Sequence, residues 1–359
     1  MPQRLSGNHR PERAGALETR RQNRKAAWTR QAGPSAGPML PCRMRTLVHS
    51  PRYECDIGPH VFPTRKYGLV LERLRQSGVL ASCVVAEPAP ATAAQLARVH
   101  TAAYLDDFMA LRETDRVRRS ELPITASIRD AALLAAGGTL LAARHALTEG
   151  AAMHLGGGFH HAMPDHAEGF CYLNDVAVAI RALLDEKRIA RAAVIDTDVH
   201  QGNGTAIIFQ EEPAVFTFSI HQENNYPVKA ASDWDIGLDD GTGDAEYLRR
   251  LGEAVPGVLD SHRPDLVVMV AGADPYEHDL LGGLALTLDG LRARDRLVVQ
   301  ECAQRGIPIV GVLAGGYALH VEDTVRIHAH TAVEVLAAVR GGSAAGAAGS
   351  EMAGPAHGE

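Results

Sequence analysis

Two adjacent histidines, His160 and His161, follow three glycines in "HLGGGFHHAMPDH". A regular strand would send neighbouring side chains to opposite faces, and helix is poor beside so many glycines. The pair therefore belongs to a loop that presents two imidazoles together. In "DTDVHQGNG", Asp196, Asp198 and His200 stand at every second position, and extended backbone would turn all three to one face. A carboxylate and an imidazole two residues apart are good ligands for Zn²⁺ or a similar divalent ion. The rival calcium loop fails, because Ile207 stands where its bidentate Glu belongs. A two-metal D-x-H-x-D site is unsupported, since Gly202 takes the last acidic place.

In "GADPYEHDLLGG", Asp274 follows a strand too apolar for a surface segment. An unpartnered carboxylate there is costly; as a third metal ligand it is satisfied. Two Asp and one His leave positions open for water and substrate, as in catalytic sites. In "LAGGYALH", glycines let Tyr317 turn into a cleft, where its protonated phenol can donate to a developing oxyanion. Taken singly, each motif has a plainer reading: a solvated turn, an Asx-turn before Pro275, a tyrosine packed at a bend. Together they suit attack of metal-activated water on a carbonyl, which needs one group to take a proton and one to protonate the leaving amine. The histidine pair can divide that work, with Asp196 as partner to one imidazole and neutral Asn203 to the other. His166, His221, His278 and His320 read as surface or packing histidines.

The elements that must position these residues alternate from about residue 130. Strand patterns ("AAMHL", "AAVID", "AVFTFSI", "DLVVMVA", "IPIVGVLA") are separated by helical ones, with Asn174 as an N-cap and Pro256 ending or kinking the helix over 245–260. This predicts one α/β domain over 45–340, with a mainly parallel central sheet flanked by helices. Open α/β sheets bind ligands outside the carboxyl ends of their strands, and the His, Asp and Tyr motifs all fall there.

These motifs resemble the histone deacetylase and acetoin-utilisation superfamily, whose fold is of the arginase/deacetylase kind. The matching stretches are "GGGFHHAMPDHAEGFCYLND", "VIDTDVHQGNGTAIIF", "GADPYEHDLLGGL" and "LAGGYA", and the wording with "HSPRY" looks most like the class IV, bacterial-type branch. The resemblance implies a zinc-dependent hydrolase of linear amides that removes acetyl or other acyl groups from lysine side chains. It implies Asp198, His200 and Asp274 as ligands of Zn²⁺ (or Fe²⁺), His161 as general base and acid, His160 as an electrostatic helper paired to Asp196, and Tyr317 polarising the acyl carbonyl. Gly169, Phe170 and Leu281 would line the acyl-lysine tunnel. The main-chain oxygens of Asp196, Asp198 and His200 with the Ser219 hydroxyl would form a structural K⁺ site. Arg65 would match an arginine near an internal acetate channel. Two departures stand out. Asn203 replaces an Asp partner, which leaves His161 less basic. Glu121 replaces a rim Asp that grips the substrate backbone, which counts against a peptide substrate. A small acylated amine such as an acetylpolyamine, suited by the acidic body though without a dedicated acidic loop, is the alternative, and an inactive binding scaffold a remoter one.

Charge and cysteines set the surroundings. Residues 1–44 carry nine Arg/Lys and two Glu, so a chain of net charge −7 has about −14 in the remainder. Such a body repels nucleic acid and favours cationic ligands. The basic extension and the low-complexity stretch 341–359 are expected to be disordered, with Met44 as an alternative first residue. Five scattered cysteines, no signal peptide and no long apolar run suit a reduced, cytoplasmic protein without a membrane span. The oligomeric state is not encoded in any of these motifs. Deleting residues 1–43 should leave metal content and deacylation of small substrates unchanged. Loss of soluble, active protein on truncation would contradict this.

Overall fold

The computed structural model describes residues 44–338; the basic extension through residue 43 and the tail beyond 338 lie outside them. Eight strands form one sheet: β1 (Arg45–Val48), β2 (Cys83–Ala86), β3 (Ala151–His154), β4 (Ala192–Asp196), β5 (Val215–Gln222), β6 (Trp234–Leu238), β7 (Leu266–Val270) and β8 (Ile309–Val312). Their order is β2-β1-β3-β8-β7-β4-β5-β6, and every neighbouring pair is parallel. The apolar runs at β3, β4, β7 and β8 are wholly buried. Alternate residues serve opposite faces: Ile195 and Met269 pack on one side, Val194 and Val268 on the other.

Helices Lys66–Gln76, Asp244–His262, Leu288–Gln304 and Val321–Ala337 cover the first face; Ala126–Glu149 and Asp175–Asp185 cover the second. Asn174 caps the Asp175–Asp185 helix, its Oδ1 accepting from Ala177 N at 2.9 Å. The helix over Pro256 does not end there but runs on to His262. The proline removes one donor, to the carbonyl of Gly252, and packing of Val255, Val258 and Leu259 holds the following turns. Strands β2 and β6 lack a sequence signal because they lie at the edges with exposed residues, and β1 because it holds only two aliphatic residues, Leu47 and Val48.

The four strands whose following residues carry the chemistry are contiguous in the sheet: β3, β8, β7, β4. Their carboxyl ends thus open on one place.

Among the described residues, Ala126–Glu149 alone is long and apolar enough to cross a membrane; here 56% of its most apolar window is buried in the domain. Its consecutive glycines, Gly137 and Gly138, mark close approach rather than a break. A Cβ at 137 would lie 1.9 Å from the carbonyl oxygen of Ala89, and one at 138 would lie 2.6 Å from the Tyr53 hydroxyl. Helix propensity alone would make Gly137→Ala stabilising by about 1 kcal/mol. Overpacking should reverse the sign and cost about 1–3 kcal/mol, read as a lower denaturation midpoint. A stability equal to or above wild type would contradict this.

Candidate active site

The histidine loop leaves β3 through Gly157 and Gly158, both left-handed (φ 69° and 82°). A side chain at 158 would strike the backbone of Ala314 at 2.7 Å. The loop is held by Asp175, a buried carboxylate that accepts from Gly158 N at 3.0 Å and Phe159 N at 2.7 Å, and also from the Thr139 hydroxyl. Asn174 ties the same loop to its helix through the carbonyl of His160.

His160 and His161 meet different partners. His160 Nδ1 lies 2.7 Å from Asp196 Oδ2, and His161 Nδ1 lies 2.8 Å from Asn203 Oδ1. Their Nε2 atoms are 3.1 Å apart, so one hydrogen must lie between them. Burial disfavours charge on His160, but the Asp196 and Asp198 carboxylates outweigh it and push the imidazole up to about 9. Burial, then the neighbouring His160 and His200, hold His161 well below the usual range. The shared proton therefore belongs to His160.

Asp198 and His200 do not continue the strand. β4 stops at Asp196, and two successive side-chain turns replace extended backbone: Asp198 N donates to Asp196 Oδ1 at 3.1 Å, and His200 N donates to Asp198 Oδ1 at 3.0 Å. The expected shared face is thus absent, and Asp196 turns to His160 while Asp198 and His200 turn to Asp274. One ligand atom from each of Asp198, His200 and Asp274 lies within 4.8 Å of the others, all three side chains being buried. His200 Nδ1 is 3.2 Å from Asp198 Oδ1 and 3.3 Å from Asp274 Oδ2.

The donor set fits a divalent cation. Asp274 Oδ2 is buried without a hydrogen-bond partner. Burial, then the charge of Asp198, pushes the Asp274 carboxyl up to about 7. Burial works against charge on His200, but the carboxylates of Asp198 and Asp274, 3.2 and 3.3 Å from its Nδ1, lift it to about 10. Asp274 and His200 both sit in excess negative charge, whereas against burial His160 and His200 hold the Asp198 carboxyl well below its usual range; an ion held by all three would take the place of the proton on His200. The outer oxygens are already used: Val199 N donates to Asp274 Oδ1 and Gly315 N to Asp198 Oδ2, each at 2.9 Å. Buried Arg294 fixes the strand ends behind them, donating to the carbonyls of Thr197 at 3.2 Å and Gly272 at 2.6 Å.

Tyr317 faces this cluster across a small cleft shared with His160, His161, Asp198 and His200. Burial, then Asp274 and Asp198, keep its phenol protonated. A wider cleft of about 200 Å³ leads outward, lined by His161, Gly169, Phe170, His200, Leu281, Tyr317 and Glu121. It also contains Tyr226, which sequence reading missed; its ring stands edge-on to His161 with centroids 5.2 Å apart. Ser219 is buried on β5 in register with Asp196, its hydroxyl 2.9 Å from His221 Nδ1. His278 and His320 are exposed, but His221 is buried and His166 bridges Asp165 and Glu168.

Arg65 does not reach the interior. It is the exposed N-cap of helix Lys66–Gln76 and lines a separate surface groove. One residue further, a turn of about 100°, Lys66 points inward and is the buried cation; its Nζ donates to the Ala314 carbonyl at 2.6 Å. Burial lowers Lys66 to about 8, against the pull of Asp274 and Asp198. Among the residues missed, Lys66, Asp175, Tyr226 and Arg294 carry no local signal, because each acts through a distant contact.

A parallel α/β sheet with buried carboxylates, imidazoles and a phenol at its carboxyl edge defines a hydrolase-like cleft. Residues 60–333 match the histone deacetylase domain, and the chain belongs to the histone deacetylase family. It is 41% identical over 79% of its length to an uncharacterised protein of Picosynechococcus, spanning 95% of that protein. It is 30% identical to Histone deacetylase 2 of Arabidopsis thaliana, over 77% of this chain and 76% of that one. In fold it resembles the crystal structure of the HDA15 HD domain, with a TM-score of 0.69, 24% identity, and coverage of 81% of this chain and 90% of that one.

The unequal partners of the two histidines give a pH test. An anionic partner in Asn203→Asp stabilises the imidazolium of His161. The neutral base is then lost at higher pH, so the acidic limb of the rate profile should move upward. Because the pair titrates together, the limb reports the site rather than one residue. An unchanged acidic limb, with metal still bound, would contradict the division between the histidines.

Proposed function

We propose that the chain is a zinc-dependent deacylase that hydrolyses the amide between an acetyl or other acyl group and a lysine side chain. The observation that carries this reading is the histidine pair, with Nε2 atoms 3.1 Å apart, set in one cleft with Asp198, His200 and Tyr317. Asp198, His200 and Asp274 would hold Zn²⁺, with Fe²⁺ as the alternative. When bound there, the ion supplies Lewis-acid polarisation and makes water acidic enough to lose a proton near neutrality.

The protein's own groups do the rest. Phe170 and Leu281 would flank the alkyl chain of the substrate, with Gly169 leaving it room, and Glu121 would meet its polar end at the mouth. His161, with Nδ1–H directed at Asn203, has one Nε2 lone pair, which faces His160 Nε2–H before substrate binds; with the His160 N–H turned to the forming oxyanion, that lone pair takes the proton of the attacking water and returns it to the leaving amine. His160, charged against Asp196, stabilises the oxyanion as it forms. Tyr317 donates to the acyl oxygen in the same step. A carboxylic acid and a free amine result, and the proton count balances. The carbonyls of Asp196, Asp198 and His200 with the Ser219 hydroxyl would hold K⁺ beneath the strand end.

The class IV-like assignment rests on the motif wording. A cytoplasmic location is supported by the unpaired state of Cys55, Cys83, Cys171 and Cys302. The acidic body disfavours nucleic acid as a partner.

The test is an acyl-lysine peptide panel with wild type and Tyr317→Phe. The variant should fold and bind zinc but turn over at least ~100-fold more slowly, the scale of one lost oxyanion donor. A near-wild-type rate would reduce Tyr317 to packing. Glu121 at the cleft mouth favours one second reading, a small acylated amine as substrate. A higher kcat/KM on an acetylated diamine than on acetyl-lysine peptides would select it. Inertness towards both by the zinc-loaded protein would leave only a binding scaffold.

A further inference from the structure

Asn203 presents a problem of direction. Its amide has an oxygen end and an NH₂ end of nearly the same shape. Only the oxygen end can accept from His161 Nδ1 and leave Nε2 unprotonated. With the NH₂ end towards His161, Nδ1 would have to accept, and the proton would sit on Nε2, where a base needs its lone pair.

What sets the direction lies one residue further out. Asn203 Nδ2 donates to Glu168 Oε1 at 3.1 Å. A carboxylate offers no donor, so only the NH₂ end of the amide can face it. The carboxylate is itself held. Its Oε2 is 3.1 Å from His166 Nε2 and 3.5 Å from Arg119 Nη2. Its backbone is closed in a two-residue bridge, Glu168 N to the Cys171 carbonyl at 3.0 Å and Cys171 N to the Glu168 carbonyl at 2.8 Å. From the other side, Gly204 N donates to Asn203 Oδ1 at 3.0 Å. The amide is gripped at both ends, and Glu168 is the only side chain of the two grips.

We propose that Glu168 is a positioning residue for His161: through the Asn203 amide its carboxylate fixes the Nδ1–H tautomer of His161 and aims Nε2 at the reacting atoms. Glu168 lines neither cleft at the histidines, and its one other contact there is with the hydroxyl of Tyr226. The geometry places a negative charge two hydrogen bonds from the base instead of one, so the imidazole is oriented without a carboxylate against it. The assignment rests on the deacylase reading above.

The experiment is a kinetic comparison of Glu168→Met, which has no acceptor oxygen, in wild-type and Asn203→Asp backgrounds. In the wild-type background kcat should fall by about 10–100-fold, the usual scale for an outer partner of a histidine. KM should stay within about twofold and zinc content should not change. Glu168→Gln keeps the shape and one oxygen but can also turn an NH₂ group to Asn203, and should fall in between. In the Asn203→Asp background the new carboxylate faces that of Glu168 at hydrogen-bond distance, so the same substitution removes a like-charge contact and kcat should hold or rise instead of falling. The coupling read with Glu168→Gln serves if the methionine variant does not fold. An unaffected kcat, an effect on KM alone, or an equal loss in both backgrounds would overturn the assignment. An inactive wild type, or a His161→Ala variant as active as wild type, would overturn the deacylase reading instead.

Discussion

Two buried carboxylates facing one imidazole dominate this structure. Asp198 and Asp274 sit at adjacent strand ends of β4 and β7, and both side chains are buried. Buried like charges cannot both persist unless something compensates them. The surroundings supply part of the compensation as backbone N–H groups from Val199 and Gly315 and as the buried cations Lys66 and Arg294. The Oδ2 of Asp274, which has no hydrogen bond and faces the His200 imidazole at 3.3 Å, marks what remains, and a dication would answer it.

The catalytic asymmetry follows from the same charges. His160 has an anion on one side and shares its proton with His161 on the other; His161 has a neutral amide and cationic neighbours. Two identical side chains, adjacent in sequence, thereby acquire opposite tendencies. Asp175 makes the arrangement possible by tying down the loop that presents them, and Thr139 on the long helix fixes Asp175 in turn. Substitutions in that helix, far from substrate, should therefore reach the histidines through packing.

Much of the centre of this fold is written in local sequence. The runs at β3, β4, β7 and β8 are continuous and apolar because both faces of the sheet are covered, and the polar residues just after them stand out for that reason. β2 and β6 lie at the edges, where patterning is weak, and β1 offers only Leu47 and Val48 as aliphatic residues. Asp198, His200 and Asp274 stood out by type and spacing, but not the route that gathers them: consecutive side-chain turns, rather than a strand, bring Asp198 and His200 to Asp274. Arg65 and Lys66 show the limit most clearly. Two adjacent cations read alike in sequence, and only the start of a helix decides which enters the core. Glu168 and Tyr226 were invisible for a related reason, since Asn203, which Glu168 holds, and His161, which Tyr226 faces, lie far from them in sequence.

The most direct measurement is metal stoichiometry and affinity on the whole chain, by metal analysis after dialysis and by chelator competition, for wild type and Asp274→Ala. One Zn²⁺ per chain is expected for wild type, with affinity weakened at least ~100-fold in the variant while its fold is retained, since losing a ligand costs more than losing an outer partner. A wild-type chain that binds no divalent ion, or a variant that keeps full affinity, would contradict the view that these buried carboxylates exist to hold a cation.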